Sequence, residues 1–305
     1  MKPYYSYKDF LTNQFGARIQ KLAIDAGFTC PNRDGNVGLN GCSYCDNRAF
    51  KPSYCTNLKP VKQQLEEGII FHKNRYRRAD AYLAYFQAFS NSYASLDELI
   101  QIYQPAIEHA EIKGIVIGTR PDCLEEKKLD YFAELAQKMF VSIEIGIESI
   151  HDETLRRINR GHNFQCAVDC LKKMKERNLH AGAHFIFGLP GEIPEMWIED
   201  VKTINNLNLS SIKFHQLQII KGTAMECEYE ENPTHFFPFT MESYIEFIID
   251  FVERLNPCFA IERFAGEVPL RYLAVNNWGT IRYDVVLQRI IKEFIKRDTW
   301  QGKYM

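Results

Sequence analysis

Apolar and polar positions follow a repeating two-part pattern along most of the chain. Short runs of β-branched and other apolar residues alternate with longer segments in which apolar residues recur at helical spacing. This order is typical of βα units around a parallel sheet. The pattern predicts six strands, near residues 19–24, 81–86, 114–118, 141–147, 181–187 and 211–219.

Helices are predicted between these strands, and three of them begin with recognisable start signals. Ser95 with Glu98 forms a capping box, Asn163 is a good N-cap, and Pro194 suits a first helical turn. The predicted helices cover about 61–72, 96–110, 124–139, 164–177 and 195–207.

The two ends of the chain depart from the βα pattern. Residues 1–18 are rich in tyrosine and are predicted to form an irregular N-terminal extension, whereas the βα units occupy 19–220. Beyond residue 220 the composition shifts to Glu, Pro and aromatic residues, followed by helical patterns near 241–255 and 283–297. We expect 221–305 to be a C-terminal extension packed on the βα units.

Composition narrows the class of protein. The chain has 305 residues, a formal net charge of −2 and nine cysteines. That charge is unlike a protein whose whole surface follows nucleic acid, and an odd cysteine count fits a disulfide framework poorly. No apolar stretch is long enough for a membrane span, and the first residues lack the order of a signal peptide. These features predict a cytoplasmic protein with no membrane partner.

Cysteine is clustered in one place. Cys30, Cys42 and Cys45 lie in a Gly- and Asn-rich loop after the first predicted strand, where α/β barrels carry their chemistry. Thiolates are the usual ligands of Fe-S clusters, and three of them leave one iron of a 4Fe-4S cubane open. The alternative is a structural zinc site with Cys55 as fourth ligand, although zinc sites usually present a second close cysteine pair.

The remaining cysteines are predicted to be structural. Cys166 and Cys170 are four residues apart on the apolar stripe of a predicted helix, which favours small buried hydrophobes. The last three have no close cysteine partner in the sequence: Cys123, Cys227 and Cys258.

Further short motifs occur, one in each βα unit, and an aromatic residue, Tyr44, precedes the last cysteine of the loop. The motifs are Tyr-Phe-Gln at 85–87, Gly-Thr-Arg-Pro-Asp at 118–122, Glu-Ile-Gly-Ile-Glu-Ser at 144–149, Asn-Arg-Gly-His at 159–162 and Gly-Leu-Pro-Gly-Glu at 188–192. With them, the chain over about 19–220 resembles the radical S-adenosylmethionine superfamily. The similar branch contains the radical domain of the elongator catalytic subunit and its small bacterial relatives of the YhcC/YtqA type.

This resemblance implies a fold and two cofactors. The fold is an α/β partial (β/α)6 TIM-like barrel with N- and C-terminal extensions. Cys30, Cys42 and Cys45 are implied to hold a 4Fe-4S cluster whose open iron is chelated by the amine and carboxylate of S-adenosylmethionine. Reductive cleavage of that cofactor yields a 5′-deoxyadenosyl radical, which requires an electron donor such as flavodoxin or ferredoxin.

The resemblance also implies contacts with S-adenosylmethionine at the strand ends. Tyr44 is expected near the adenine, with ordinary packing beside the cluster as the alternative. Many relatives have a Gly-Gly-Glu turn for the methionyl amine, where this chain offers the side-chain carbonyl of Gln87. Gly118 stands where some relatives carry a ribose-binding Glu, and Glu144 is a plausible substitute.

Four more residues match cofactor-binding positions of relatives. Arg160 matches an Arg that pairs with the methionyl carboxylate, or is a surface residue at a helix start. Glu148 matches a Gln that approaches the cofactor, or forms a strand-end salt bridge. His184 matches an Asp that touches ribose, or is a satisfied core histidine. Gly188 would allow a tight turn beneath the adenine, or serves loop geometry only.

The elongator branch suggests tRNA as substrate, with modification of the C5 side chain of a wobble uridine. Two local basic runs agree with this, although such runs are often solvated helix faces. An alternative is oxidation or methylthiolation of a small molecule or porphyrin, and another is a non-catalytic zinc-binding scaffold. The basic runs are Lys73, Arg75, Arg77, Arg78 and Lys172, Lys173, Lys175, Arg177.

A charged motif, Glu-Arg-Phe-Ala-Gly-Glu at 262–267, lies in the predicted C-terminal extension. We expect it to close the barrel bottom or to border the substrate opening. Arg263 could reach a substrate phosphate, and a structural ion pair with Glu262 or Glu267 is the alternative.

Overall fold

The centre of the molecule is one sheet of seven parallel strands, each paired with its neighbours in sequence. The computed structural model describes residues 2–76, 79–276, 278–279 and 281–305. The six predicted strands are confirmed, and so is the partial-barrel fold class. The strands are β1 (Ile19–Ile24), β2 (Ala81–Phe86), β3 (Ile112–Thr119), β4 (Phe140–Glu148), β5 (His180–Phe187), β6 (Ser211–Gln216) and β7 (Ala260–Arg263).

The seventh strand was not predicted. β7 has four residues, two of them charged, so it is too short to show the alternation that marks a strand. It pairs with β6 through a register shift between Ile212 and Lys213. The segment expected to be an extension therefore contributes to the sheet, and the boundaries at 18 and 220 stay a prediction.

The helices between the strands confirm the predicted pattern. Ser95 and Glu98 form the capping box, the Asn163 side chain accepts a hydrogen bond from the Cys166 backbone, and Pro194 occupies the first turn of its helix. Two short helices were not predicted, Asp152–Arg157 and Ala224–Glu231. The helices after the first are α2 (Val61–Tyr76), α3 (Leu96–Ile107), α4 (Glu126–Ala136), α5 (Asp152–Arg157), α6 (Phe164–Glu176), α7 (Pro194–Asn205), α8 (Ala224–Glu231), α9 (Met241–Val252) and α10 (Tyr283–Lys296).

The N-terminal prediction of irregular structure is wrong, because α1 (Tyr7–Phe15) is a capped helix. The Ser6 side chain accepts from the Asp9 backbone at its start, and Gly16 ends it in the left-handed conformation at φ +67°. The preceding Tyr5 carbonyl accepts a hydrogen bond from Ile261 of β7 at 2.8 Å. The N-terminal segment is thus joined to the edge of the sheet.

The two faces of each strand have different environments. In β4, Ile143 and Ile145 pack with Phe132 of α4 in the main apolar core, whereas Glu144 and Glu148 lie on the opposite face. That opposite face is the barrel interior. Its polar groups come from several strands and form two layers, one beside the cysteine loop and one deeper in the barrel.

Candidate cluster and cofactor site

The cysteine loop follows β1 and is fixed by its own polar residues. Cys30 and Cys42 are buried at 8% and 7% exposure, and Cys45 is half-buried. The Cys45 backbone donates to the Cys42 carbonyl at 3.0 Å. Asn32 is fully buried, and its amide donates to the Asn159 carbonyl and lies 3.7 Å from the Cys42 sulfur. Asn32 therefore ties the cysteine loop to the loop after α5.

Two guanidinium groups lie beside the cysteine loop. Arg160 Nη1 lies 3.5 Å from the Cys42 sulfur, and Arg33 donates to the Cys45 carbonyl at 2.7 Å. Burial raises the pKa of the Cys45 thiol to about 11, and Cys42 adds to this while Arg33 opposes it. Three thiols beside positive charges suit an anionic iron-sulfur cluster, because the thiolates that bind iron need charge compensation when buried.

Cys55 does not belong to this group. Its thiol interacts with Asp25 and Lys51, and burial raises its pKa to about 12. Among the residues that the structure describes, no three or more His, Cys, Asp or Glu side chains could together hold one metal ion. These residues therefore do not form the four-cysteine zinc site, in which all four ligands bind one ion. A 4Fe-4S cubane differs, because each of its cysteines binds a different iron.

Arg160 is a buried cation with one unused donor. It is 6% exposed, and its Nη2 donates to the Gly146 carbonyl at 2.5 Å and lies 3.6 Å from Glu148 Oε1. Its Nε has no hydrogen-bond partner among the described residues. A buried donor without a partner is costly, so this atom is one place where a bound carboxylate would fit. The alternative of a surface residue is wrong, because the side chain is buried.

Glu148 holds a strained position opposite Arg160. Its φ is +71°, in the left-handed region that side chains other than Gly and Asn rarely adopt, at a register shift of β4 against β5. Burial raises the pKa of Glu148, but His184, Arg160 and the Tyr44 hydroxyl together outweigh it and hold the pKa below its usual value. His184 Nδ1 lies 2.7 Å from Glu148 Oε2, and its Nε2 is buried without a partner.

Gly146 makes room for this pair. A Cβ at Gly146 would lie 2.6 Å from both Arg160 Nη2 and Glu148 Oε1. Glycine in the middle of a strand often marks a close approach of this kind, and that signal was present in the sequence. Sequence reasoning assigned no role to Gly146, nor to Asn32.

The structure brings together four of the predicted cofactor residues beside Cys42. The Tyr44 hydroxyl forms a hydrogen bond with the Glu148 carboxylate, which also lies at ion-pair distance from Arg160 and His184. The salt bridge proposed as the alternative for Glu148 is therefore present, and contact of these four side chains with the cofactor stays a prediction.

The other three predicted cofactor residues lie apart from that group. Gln87 follows β2 beside Gly118, whose added Cβ would lie 3.6 Å from the Gln87 Cα. Gly188 has φ +96° and lines a cavity of about 110 Å³ with Phe239 and Trp278. Glu144 lies in the deeper layer of the barrel. Their cofactor contacts stay predictions.

The deeper layer is a group of two lysines and two glutamates, here called the barrel-floor quartet (Lys21, Glu144, Lys213, Glu262). Glu144 accepts from Lys21 and, at 3.0 Å, from Lys213. Glu262 accepts from Lys21 at 2.6 Å and lies 3.2 Å from Lys213. Burial raises the pKa of Glu144, but the two lysines outweigh it and hold the pKa well below the usual value.

The quartet also joins the two edges of the sheet. Lys21 belongs to β1 and Glu262 to β7, which are the first and last strands of the sheet. Their ion pair brings these edges together below the cysteine loop. Lys21 further lies over the ring of Tyr7 of α1, 4.5 Å from its centroid. The first and last strands are thereby linked by an ion pair at this depth of the barrel.

Three members of the basic runs are paired with acidic residues. Lys73 pairs with Glu111, and both Lys173 and Arg177 pair with Glu126. This pairing favours the interpretation of solvated helix faces for these positions. Two members of the first run lie outside the described residues, Arg77 and Arg78.

Matches to two family models show to which class of protein the chain belongs. The model of the Radical SAM superfamily matches residues 32–204, and that of the Radical_SAM C-terminal domain matches 209–296. The chain belongs to the radical S-adenosylmethionine superfamily. No helix in the described part of the chain has the length and apolarity to cross a membrane.

Individual relatives place the chain in the elongator-like branch. YtqA of Bacillus subtilis (strain 168) is 32% identical over 312 residues, covering 99% of this chain and 93% of YtqA. A tRNA uridine(34) acetyltransferase of Methanocaldococcus infernus is 26% identical over 166 residues, 53% of this chain and 30% of that protein. The structure of archaeal Methanocaldococcus infernus Elp3 with an N-terminal deletion shares the fold, with a TM-score of 0.69, 17% identity, and coverage of 93% of this chain and 64% of that one.

Proposed function

We propose that the protein binds a 4Fe-4S cluster through Cys30, Cys42 and Cys45 and cleaves S-adenosylmethionine to modify a wobble uridine of tRNA. The observation that carries the first part is the position of Arg160. Its guanidinium lies 3.5 Å from the Cys42 sulfur, and its Nε is buried without a partner. A cation held between a cluster ligand and an open donor is suited to a carboxylate bound next to the cluster.

The side chains around Arg160 supply orientation and charge. A bound cluster would supply the electron for reductive cleavage of S-adenosylmethionine. Arg160 would hold the methionyl carboxylate, and Glu148 positions Arg160 through their ion pair. His184 offers its buried Nε2 to the nucleoside, and Tyr44 packs beside it. The electron comes from a donor such as flavodoxin or ferredoxin.

The proposal of tRNA as substrate rests on the relatives. One of them is named for uridine 34 of tRNA, but the chain spans only 30% of that protein. Acetyl transfer is therefore not part of the proposal, and the shared region is taken to serve the uridine. A barrel whose first and last strands are not paired in the sheet would admit a nucleotide turned out of its RNA.

Reconstitution under anaerobic conditions tests the cluster and the cofactor. The reconstituted wild type should contain iron and sulfide and form 5′-deoxyadenosine from S-adenosylmethionine and dithionite, with more product when bulk tRNA is added. Cys42→Ala should reduce product to background. Cys227→Ala, which removes an exposed cysteine, should match the wild type. One equivalent of zinc and no iron would instead support the scaffold alternative.

A deletion strain tests the substrate. Mass spectrometry of tRNA digests should show loss of a C5-substituted uridine at the wobble position, restored by the wild-type gene and not by Cys42→Ala. Unchanged tRNA digests would remove the tRNA proposal and favour a small-molecule or porphyrin substrate, while leaving cofactor cleavage as established by the reconstitution.

A further inference from the structure

Arg263 ends the edge strand of the sheet. It is the last residue of β7 and lies opposite Lys213 of β6, after a register shift that changes where side chains of this strand point. Glu262, the preceding residue, forms the ion pair that joins β7 to β1. Arg263 therefore lies next to this closure, toward the strand ends where the cysteine loop begins.

No acidic side chain neutralises Arg263. Both oxygens of Glu262 are engaged by the lysines of the barrel-floor quartet, and Glu267 accepts a hydrogen bond from the Tyr283 backbone at 2.9 Å. Within the described residues, no carboxylate lies at ion-pair distance from the Arg263 guanidinium. The structural ion pair with Glu262 or Glu267 that was the alternative for this residue is not formed.

Tyr283 holds the guanidinium in place. The Arg263 guanidinium carbon lies 5.6 Å from the centroid of the Tyr283 ring. The Tyr283 hydroxyl in turn accepts a hydrogen bond from the Phe264 backbone at 3.2 Å. Stacking on a ring uses the face of the guanidinium and leaves the N–H groups at its edge available to bind an anion.

The surroundings of Arg263 carry an excess of positive charge. The barrel-floor quartet is neutral, because its two lysines balance its two glutamates, so Arg263 adds one uncompensated charge. Burial lowers the pKa of the neighbouring His215 well below its usual value, and His184, Arg263 and Lys213 lower it further. A bound anion would balance the positive charge of Arg263.

The segment after β7 borders a cavity of about 110 Å³, which Gln216, Gln218 and Gly266 help to line. Gly266 is held by Gln216, whose amide oxygen accepts from the Gly266 backbone at 2.8 Å. A Cβ at Gly266 would lie 2.6 Å from His215 Nδ1 and 3.0 Å from Gln218 Oε1. Gln218 Oε1 is buried without a partner, and the amide turned over would place a donor there.

We propose that Arg263 binds a backbone phosphate of the RNA substrate at the carboxyl end of β7, next to the ion pair that links β7 to β1. This inference rests on the proposed tRNA substrate. It names the residue that would hold the RNA backbone while the target uridine enters the barrel. A guanidinium fork suits a phosphate, and such a contact positions the nucleic acid without reading its sequence.

RNA binding by matched arginine variants tests this inference. The probe is an anticodon stem-loop RNA with uridine at the wobble position, and its affinity for the anaerobically purified protein is measured over a range of salt concentrations. Arg263→Gln should weaken binding roughly tenfold, which is the effect expected for loss of one charged hydrogen bond. It should also lower the slope of log affinity against log salt by about 0.7 to 0.9, since one phosphate contact is lost.

Arg254 provides the control. Its guanidinium also lies 5.6 Å from a tyrosine ring, that of Tyr304, but it donates to the Asp250 carbonyl at 2.6 Å and lies 3.9 Å from Glu253, and it is placed between α9 and β7. Arg254→Gln should leave both affinity and salt slope unchanged, and Arg263→Lys should recover much of the affinity. Equal binding by Arg263→Gln and wild type, with RNA bound by both, would overturn the phosphate contact while the tRNA proposal stands.

A second arm separates RNA from a small phosphate ester. Competition with uridine 5′-monophosphate should require concentrations far above that of the stem-loop. Binding of the monophosphate without binding of RNA by the wild type would overturn the RNA assignment and the tRNA substrate together. Formation of 5′-deoxyadenosine is measured separately, so loss of cofactor cleavage is distinguishable from either result.

Discussion

Two layers of the barrel interior contain buried charges and differ in how those charges are used. The barrel-floor quartet pairs every lysine with both glutamates, so its charges are balanced and its lone pairs engaged. The layer beside the cysteines has strained Glu148 and leaves Arg160 Nε and His184 Nε2 without partners. Paired charges serve structure, whereas unpaired polar atoms around strained backbone indicate a place for a ligand.

Removal of one lysine from the deeper layer should have the largest effect on stability. Lys213→Met leaves Glu144 and Glu262 sharing only Lys21, and breaking a buried ion pair costs about 3–5 kcal/mol. Chemical denaturation should show a loss of unfolding free energy in this range. Lys172→Met, at an exposed position of α6, should change it by less than about 0.5 kcal/mol. An equal, small effect of both variants would contradict a structural role for the quartet.

A conservative change in the upper layer should affect ligand binding more than stability. Arg160→Lys keeps the charge beside Cys42 and Glu148 but loses the planar fork. We expect the affinity of the reconstituted protein for S-adenosylmethionine to fall roughly tenfold, consistent with loss of one charged hydrogen bond. Equilibrium binding measures it, with exposed Arg156→Lys of α5 as the control. Unchanged affinity for S-adenosylmethionine, together with a lower unfolding free energy, would show that Arg160 stabilises the fold and does not bind the cofactor.

The smallest expected difference between the two layers is in how their glutamates make the unfolding free energy depend on pH. A carboxylate with a depressed folded pKa stabilises the fold above its ordinary pKa near 4.5, and this contribution is lost as the pH falls through the folded value. Glu144, with the larger depression, should therefore account for more of the acid-induced loss than Glu148. The slope of unfolding free energy against pH below 4.5 should flatten more in Glu144→Gln than in Glu148→Gln. The reverse order would contradict the assigned shifts.

Much of the fold could be predicted because its signals are local. Strand and helix periods identified six strands, and the capping box at Ser95 and the N-cap at Asn163 marked helix starts. β7 was missed because four residues with two charges resemble a loop. The N-terminal helix was missed because its tyrosine and two phenylalanines obscure the polar face, although Ser6 and Gly16 bound it.

The candidate site was predictable only in part. The cysteine spacing pointed to Cys30, Cys42 and Cys45, and the motifs after the strands pointed to Glu148 and Arg160. The roles of Gly146 and Asn32 became visible only when their neighbours in space were known, because a glycine or an asparagine in a loop has many ordinary uses. Their contacts join segments that are far apart along the chain.

The sequence by itself determined the order of βα units, the cysteine loop and the superfamily, since periodicity and spacing are properties of neighbouring residues. Only the tertiary structure decided which glutamate belongs to which layer. Lys21 meets Glu144 and Glu262 across 123 and 241 positions of the chain. Pairings of this range depend on how the sheet curves and where its edges meet, and no local pattern encodes that geometry.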